Sequence, residues 1–290
     1  MRQDRRPACR EAVDAPRRTA SAWIVHAARL ACALLAFGAA MSTPGAAGEP
    51  AANRREASHA VTNDGVILVL TYHASAANRV ALARRLREDL APRLGSMARA
   101  GVLRRHQLLL NRQVDAGTWD AMAILEFADA TAHRRWIELT RRYPAGLAAG
   151  ALRLLERVET AQVDLFRAGG EAGADPHRQA WLVIPYDYLV PVADYRRYLE
   201  GYVFPQTQGW IEAGVLQDWA MYLTRYPASR PWTALLVLGY VDDAALEQRP
   251  AVTAQVRERL AADPAWKAIA DNKQAVREEG RVVAADLVAP

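Results

Sequence analysis

Four side chains in this sequence carry chemistry worth placing. His73 and Glu126 are a candidate base and its carboxylate. An imidazole titrates near neutrality, and a carboxylate bonded to one ring nitrogen fixes the tautomer and aims the other. Tyr222 and Asn111 add a phenol and an amide, which hold and polarise an oxygen-bearing ligand. Tyr186, Met122, Ile124 and Leu235 would complete a pocket that is mostly apolar with a few polar groups, the usual make-up of a small-molecule site. Metal chemistry has no comparable set. Beyond the first 48 residues the histidines are His59, His73, His106, His133 and His177, with no spaced pair, and the two cysteines are Cys9 and Cys32. Gly-rich phosphate loops, a Gly-x-Ser-x-Gly elbow and a dinucleotide fingerprint are absent from the sequence. Neither a metal nor a cofactor is expected.

These groups can meet only if strands put them on one face. Alternate residues of a strand point to opposite sides. Over 119–128, Trp119, Ala121, Ala123, Leu125 and Phe127 share the more apolar side, and Asp120, Met122, Ile124 and Glu126 share the other. Over 103–112, His106, Leu108, Leu110 and Arg112 oppose Arg105, Gln107, Leu109 and Asn111. With the more apolar sets assigned to covering helices, Asn111, Met122, Ile124 and Glu126 face inward. A slip of one residue would reverse every assignment.

The second half of the candidate set comes from an internal repeat. Ala100-Gly101-Val102-Leu103 returns 113 positions later as Ala213-Gly214-Val215-Leu216. The same ungapped offset carries Arg112 onto Arg225, Trp119 onto Trp232, Leu125 onto Leu238 and Asp129 onto Asp242. A register that matches Gly, Arg, Trp and Asp together marks a tandem duplication. It places Asp218, Tyr222, Thr224, Thr233, Leu235 and Val237 on the inward face and pairs His73 with Tyr186. Recurrence of Arg112/Trp119 as Arg225/Trp232 suggests a structural guanidinium–indole stack in each copy.

Each copy reads as β-α-β-β-α-β. In the first, a strand over 66–73 precedes a helix over 79–99 that Pro92 kinks and Gly101 ends. A hairpin over 103–128, a helix over 129–143, a second segment near 147–157 and a strand over 160–166 follow. The second copy repeats the plan, with a longer helical region over 243–277 broken at Pro250 and Pro264 and a last strand over 281–288. The expected organisation is therefore a signal peptide at 1–48, a flexible lead-in at 49–64, repeats at 65–168 and 179–290, and a Gly-rich linker at 169–178.

Composition narrows the function classes. The formal charge is +5, but residues 1–48 hold seven Arg against Asp4, Glu11 and Asp14, so the rest is nearly neutral. That distribution argues against nucleic acid as a partner. The leader has a basic segment ending at Arg29, an apolar run from Leu30 to Met41, and small residues Ala46-Ala47-Gly48. This is the pattern of an export signal, cleaved or kept as an anchor, and it predicts a periplasmic or secreted protein without membrane association after cleavage. Both cysteines lie in it, which excludes thiol catalysis from the mature chain.

The duplicated β-α-β-β-α-β order resembles the dimeric α/β-barrel superfamily of ferredoxin-like proteins, with two halves fused in one chain. It is also similar to uncharacterised exported bacterial proteins of this tandem type. The resemblance implies an α+β fold in which the two sheets face each other and the helices lie outside. It implies a choice of activities, from cofactor-free monooxygenases and muconolactone isomerases to stress-response and haem-binding chlorite-dismutase relatives. For the first of these it implies a phenolic substrate held by Tyr222 and Asn111. For the last it implies a His in the second half, and residues 178–290 contain none. The expectation is a monomer or weak homo-oligomer that binds a small, mostly apolar molecule between its sheets. A cofactor-free monooxygenase or isomerase of an aromatic or lactone substrate, and a structural or partner-binding protein with a packed lumen, are the alternatives.

Overall fold

The computed structural model describes residues 65–113, 117–170 and 178–288. The leader, the lead-in and residues 171–177 of the expected linker lie outside them. The first copy comprises β1 (Ile67–Ala74), α1 (Arg79–Arg85) and α2 (Ala91–Arg99), β2 (Leu103–Asn111), β3 (Ala121–Phe127), α3 (Ala130–Arg142), α4 (Ala149–Leu152) and β4 (Leu155–Gly170). The second comprises β5 (Ala180–Tyr188), α5 (Val192–Tyr198) and α6 (Phe204–Glu212), β6 (Leu216–Thr224), β7 (Ala234–Tyr240), α7 (Asp243–Leu260), α8 (Pro264–Asp271), α9 (Lys273–Val276), β8 (Arg277–Glu279) and β9 (Val283–Leu287).

The sheets do more than face each other. Their edges join, β4 to β6 and β2 to β9, and the strand order β7-β6-β4-β1-β3-β2-β9-β5 returns to β7. The result is a closed antiparallel barrel of eight strands with the helices outside. β8 continues the path of β9 along β5 after a break at 280–282. Each copy puts its strands in the order 4-1-3-2. Because all neighbours are antiparallel, strands four places apart run the same way, and a pseudo-twofold axis lies along the barrel.

The duplicated residues are duplicated structural devices. Gly101 and Gly214 sit at φ +68 and +72 just past their helices. The following amides reach back to close the helix ends, Val102 N–H to the Met97 carbonyl (2.9 Å) and Val215 N–H to the Trp210 carbonyl (3.1 Å). Asp129 and Asp242 cap α3 and α7, accepting from the Ala132 and Ala245 amides. In both copies a single π-helical turn, Leu86–Leu90 and Leu199–Val203, stands immediately before the helical segment that holds Pro92 or Pro205. The wider turn accommodates the ring and the missing N–H without ending the helix. The expected break at Pro250 does not occur; α7 runs through it, with that residue exposed.

Arg112 and Arg225 do not serve as partners for the neighbouring indoles. Arg225 Nε donates to Asp164 Oδ1 (2.9 Å), and Arg112 Nε donates to Asp286 Oδ1 (2.7 Å) while its Nη1 reaches Asp243. Asp164 lies opposite Leu223 on the β4–β6 seam and Asp286 opposite Leu110 on the β2–β9 seam, which are equivalent places. The repeated Arg–Asp pair therefore fastens the two junctions where the halves meet.

Two boundaries differ from the sequence reading. β4 extends well beyond the expected 160–166 because it serves two partners, β1 along 155–163 and β6 along 163–170. It consumes the start of the expected linker: Gly170 pairs with Asp218, and a Cβ there would meet the Asp218 backbone at 2.7 Å. The helical segment expected near 147–157 shortens to α4 accordingly.

Candidate functional site

The middle of the barrel is filled. Ile67, Val69, Leu109, Met122, Ile124, Val163, Trp181, Val183, Tyr222, Leu235, Val237 and Val283 form one buried cluster. The inward assignments of Met122, Ile124, Tyr222 and Leu235 match this cluster. Open space lies instead at the mouth where β1 and β5 end, in a cleft of about 210 Å³.

That cleft is organised by the pseudo-twofold axis. Trp119 and Trp232, equivalent residues at the starts of the two returning strands, both line it. Alternation had assigned Trp119 to the helix side. It precedes β3, where strand periodicity does not apply, and it packs with the barrel interior.

The polar residues around the indoles break the symmetry. From the first half come Thr71, His73, Arg157 and Glu159. His73 is buried, and its Nε2 lies 3.0 Å from Glu159 Oε2. Thr71 Oγ1 donates to the same oxygen (3.2 Å), and Arg157 Nε donates to Oε1 (3.3 Å). Three groups thus hold one carboxylate, and that carboxylate orients the imidazole. The second half places Pro185, Asp187, Leu235 and Arg281 there instead.

The expected His73–Glu126 pair does not form. Glu126 lies opposite Ile67, and His73 is six residues further along β1, roughly 20 Å away at strand rise. Glu126 instead pairs with Arg104 (3.2 Å). Asn111 is committed to its hairpin: Nδ2 donates to Thr118 Oγ1 (3.0 Å) and to the Trp119 carbonyl (2.9 Å), and Oδ1 accepts from the Gln113 amide (2.8 Å).

Tyr186 borders the cleft, but its ring packs on the helix side with Tyr195 and Tyr198, under the Arg277 guanidinium at 4.1 Å. The cause is a missing residue. Tyr72 faces Ala121 and Tyr186 faces Ala234, so the first strands are related by 114 positions, not 113. The turn after β5 is one residue shorter than that after β1. The true counterpart of His73 is Asp187. Glu159 escaped notice because the fourth strand was expected to begin at Thr160, and Arg281 because the last strand is broken beside it.

The opposite mouth carries polar side chains. Arg105 and Asp218 are equivalents of opposite charge. Burial raises the Asp218 carboxyl above its usual range, against the pull of Arg105 and the Gln179 amide. Burial also pushes the Tyr222 phenol up to about 12, again opposed by Arg105. A carboxyl raised in the folded state weakens folding while it is ionised. Asp218→Asn should therefore stabilise the protein at neutral pH, and the gain should shrink as pH falls through the folded-state pKa toward the unfolded value of about 3.8. Urea titrations of both proteins at neutral and acid pH measure it; an equal gain at both would remove the electrostatic cause.

No family model matches the sequence, and no curated protein matches it significantly. Its structure is similar to that of an anthrone oxidase-like protein, with a TM-score of 0.54 at 11% identity over 80% of this chain and 93% of that one. The fold is a dimeric α/β barrel closed within one chain. A provisionally assigned monooxygenase from Lactobacillus acidophilus NCFM (TM-score 0.48, 11% identity, 78% and 95% covered) and a chlorite dismutase variant from Candidatus Nitrospira defluvii (0.43, 10%, 79% and 93%) are more distant. At these identities the likeness is one of fold, and chemistry must be read from the site. Residues 178–288 contain no His, and among the described residues no three His, Cys, Asp or Glu gather as metal ligands.

Proposed function

We propose that this chain is an exported protein that binds a small, mostly apolar aromatic molecule at the barrel mouth, not between the sheets. The observation that carries the reading is the pair of indoles, Trp119 and Trp232, lining one cleft of about 210 Å³. A cavity of about 150 Å³ already accepts benzene, so a substituted ring is of suitable size. The leader's basic segment, apolar run and small residues support export. The packed middle is also what a purely structural barrel would have, but such a barrel needs no aromatic cleft.

Isothermal titration with phenol tests the binding. Saturable binding by the wild type, weakened at least about tenfold when both indoles are removed (Trp119→Ala with Trp232→Ala), is expected from the loss of two aromatic contacts. Equal affinity in the two proteins would place the ligand elsewhere. Fractionation tests export separately.

One contact favours a second reading, catalysis without a cofactor in the manner of a monooxygenase or isomerase. With Nε2 donating to Glu159, His73 keeps Nδ1 to accept a proton from a bound molecule. A substrate turned over by the wild type and slowed about 10²–10⁴-fold in His73→Asn would carry it.

A further inference from the structure

We infer that the groove under α1 is a second binding site, separate from the mouth, and that it takes a small organic carboxylate on Arg79 and Arg87. The site goes beyond the reading of the mouth and does not depend on it. The groove, of about 230 Å³, lies between α1 and the ends of β2 and β3, with Val80, Ala83 and Leu110 among its walls.

The duplication shows what the fold needs at this place. In both halves the residue ahead of the returning strand ties it to the first strand. Asp120 N–H donates to the Tyr72 carbonyl (2.8 Å), and Thr233 N–H donates to the Tyr186 carbonyl (3.0 Å). The same side chain accepts the last amide of the first strand, Ala74 N–H to Asp120 Oδ2 (2.6 Å) and Tyr188 N–H to Thr233 Oγ1 (2.9 Å). A neutral threonine therefore meets the structural need in the second half. The first half has a carboxylate there, and beside it Arg79 opens α1 where Val192 opens α5. In the paired π-helical turns, Arg87 stands where the second half has Glu200. The two halves thus differ by charges that the fold does not require.

Arg79 and Asp120 are nearly buried, with side chains 14% and 9% exposed. Taking two charges out of water is repaid only when their remaining donors and acceptors are also met. Here they are not. Arg79 Nε lies 2.6 Å from Asp120 Oδ1, yet Nε and Nη1 are buried without a hydrogen-bond acceptor among the described residues. The other Asp120 oxygen is already taken by the Ala74 amide. A guanidinium with unmet donors, bordering an open groove, is a fork for a planar anion. Arg112, also on the groove, is committed to Asp286 and Asp243. Arg87, on the rim, has no partner among the described residues. The lining therefore sets Arg79, Arg87 and Arg112 against only Asp120 and Asp286, an excess of one positive charge that one anion would balance. Val80, which is 79% exposed, and Ala83 offer a short apolar wall next to the guanidinium. A carboxylate with a small hydrocarbon body matches both features.

Calorimetric titration with hexanoate and its neutral counterpart hexanamide tests this, on the wild type and on Arg79→Val with Asp120→Thr. That variant gives the first half the residues with which the second half folds. The wild type should bind hexanoate about tenfold or more tightly than hexanamide, the scale of one charge-assisted bond. In the variant the preference should fall below about threefold. Circular dichroism identifies a folding failure; Arg87→Glu, a change confined to the rim, then takes its place and should weaken hexanoate about threefold while sparing hexanamide. Removing both indoles of the mouth should leave hexanoate binding unchanged. The proposal is overturned if the wild type does not bind hexanoate or binds both compounds equally. It is overturned too if the preference survives the variants, or if hexanoate binding is lost with the indoles. In every case the reading of the mouth stands or falls on its own phenol titration.

Discussion

Expressed alone, neither half of this chain will give a stable monomer. In the first half, Ile67, Val69, Leu109, Met122, Ile124 and Val163 are buried only because the second half covers them. Exposing a buried aliphatic side chain costs about 1.5–3 kcal/mol, so these six amount to roughly 9–18 kcal/mol. A domain's whole stability is about 5–15 kcal/mol. The isolated half also bares the β2 edge and the 163–170 stretch of β4, which now bond to β9 and β6. Such edges recruit other chains. Residues 65–170 and 178–288, produced separately, should aggregate or self-associate; produced together, they should form a one-to-one complex with cooperative unfolding. Analytical ultracentrifugation and thermal melts decide it, and a half that stays monomeric with its own sharp melt would contradict the single-barrel account.

The largest effect of one substitution should fall at Trp181. Its ring is fully buried, and its strand neighbours are small, Gly239 on one side and Ala285 on the other. A Cβ on Gly239 would stand 3.1 Å from the ring. The equivalent place in the first half holds Ile67, opposite Glu126 and Val163. The halves have thus exchanged volume, a large residue over small neighbours against a medium one over larger neighbours. Trp181→Ala leaves a void that backbone and neighbours cannot fill and should cost about 3–5 kcal/mol. For a domain of this size that lowers the melting temperature by roughly 6–20 °C. Trp181→Phe should cost far less, because the indole N–H has no acceptor among the described residues and its removal relieves a buried, unpaired donor. Equal losses in both variants would show that the N–H is bonded after all.

The fold was legible because duplication repeats what backbone geometry demands. Gly101 and Gly214, Asp129 and Asp242, Pro92 and Pro205 each mark a helix end, a cap or a kink, and those needs survive divergence. The site was legible only in part. The inward faces of Met122, Ile124, Tyr222 and Leu235 follow from alternation within continuous strands, but of these only Leu235 lines the cleft. The face of Tyr186 does not follow, because one residue missing from a turn moved it to the other face while leaving the helices in register. Glu159 lies ahead of the strand start expected at Thr160, and Arg281 lies where the last strand is broken, so periodicity reached neither. His73 lines the cleft, but the carboxylate beside it comes from β4, a partner set by topology rather than by spacing along the chain.

The most direct test of where this barrel binds its ligand is a crystal structure of the protein soaked to saturation with phenol. Density for a ring between Trp119 and Trp232, with its hydroxyl toward His73, is the predicted result. Density on the helix side or among the buried residues around Tyr222, or an empty cleft in crystals whose molecules bind phenol elsewhere, would contradict it.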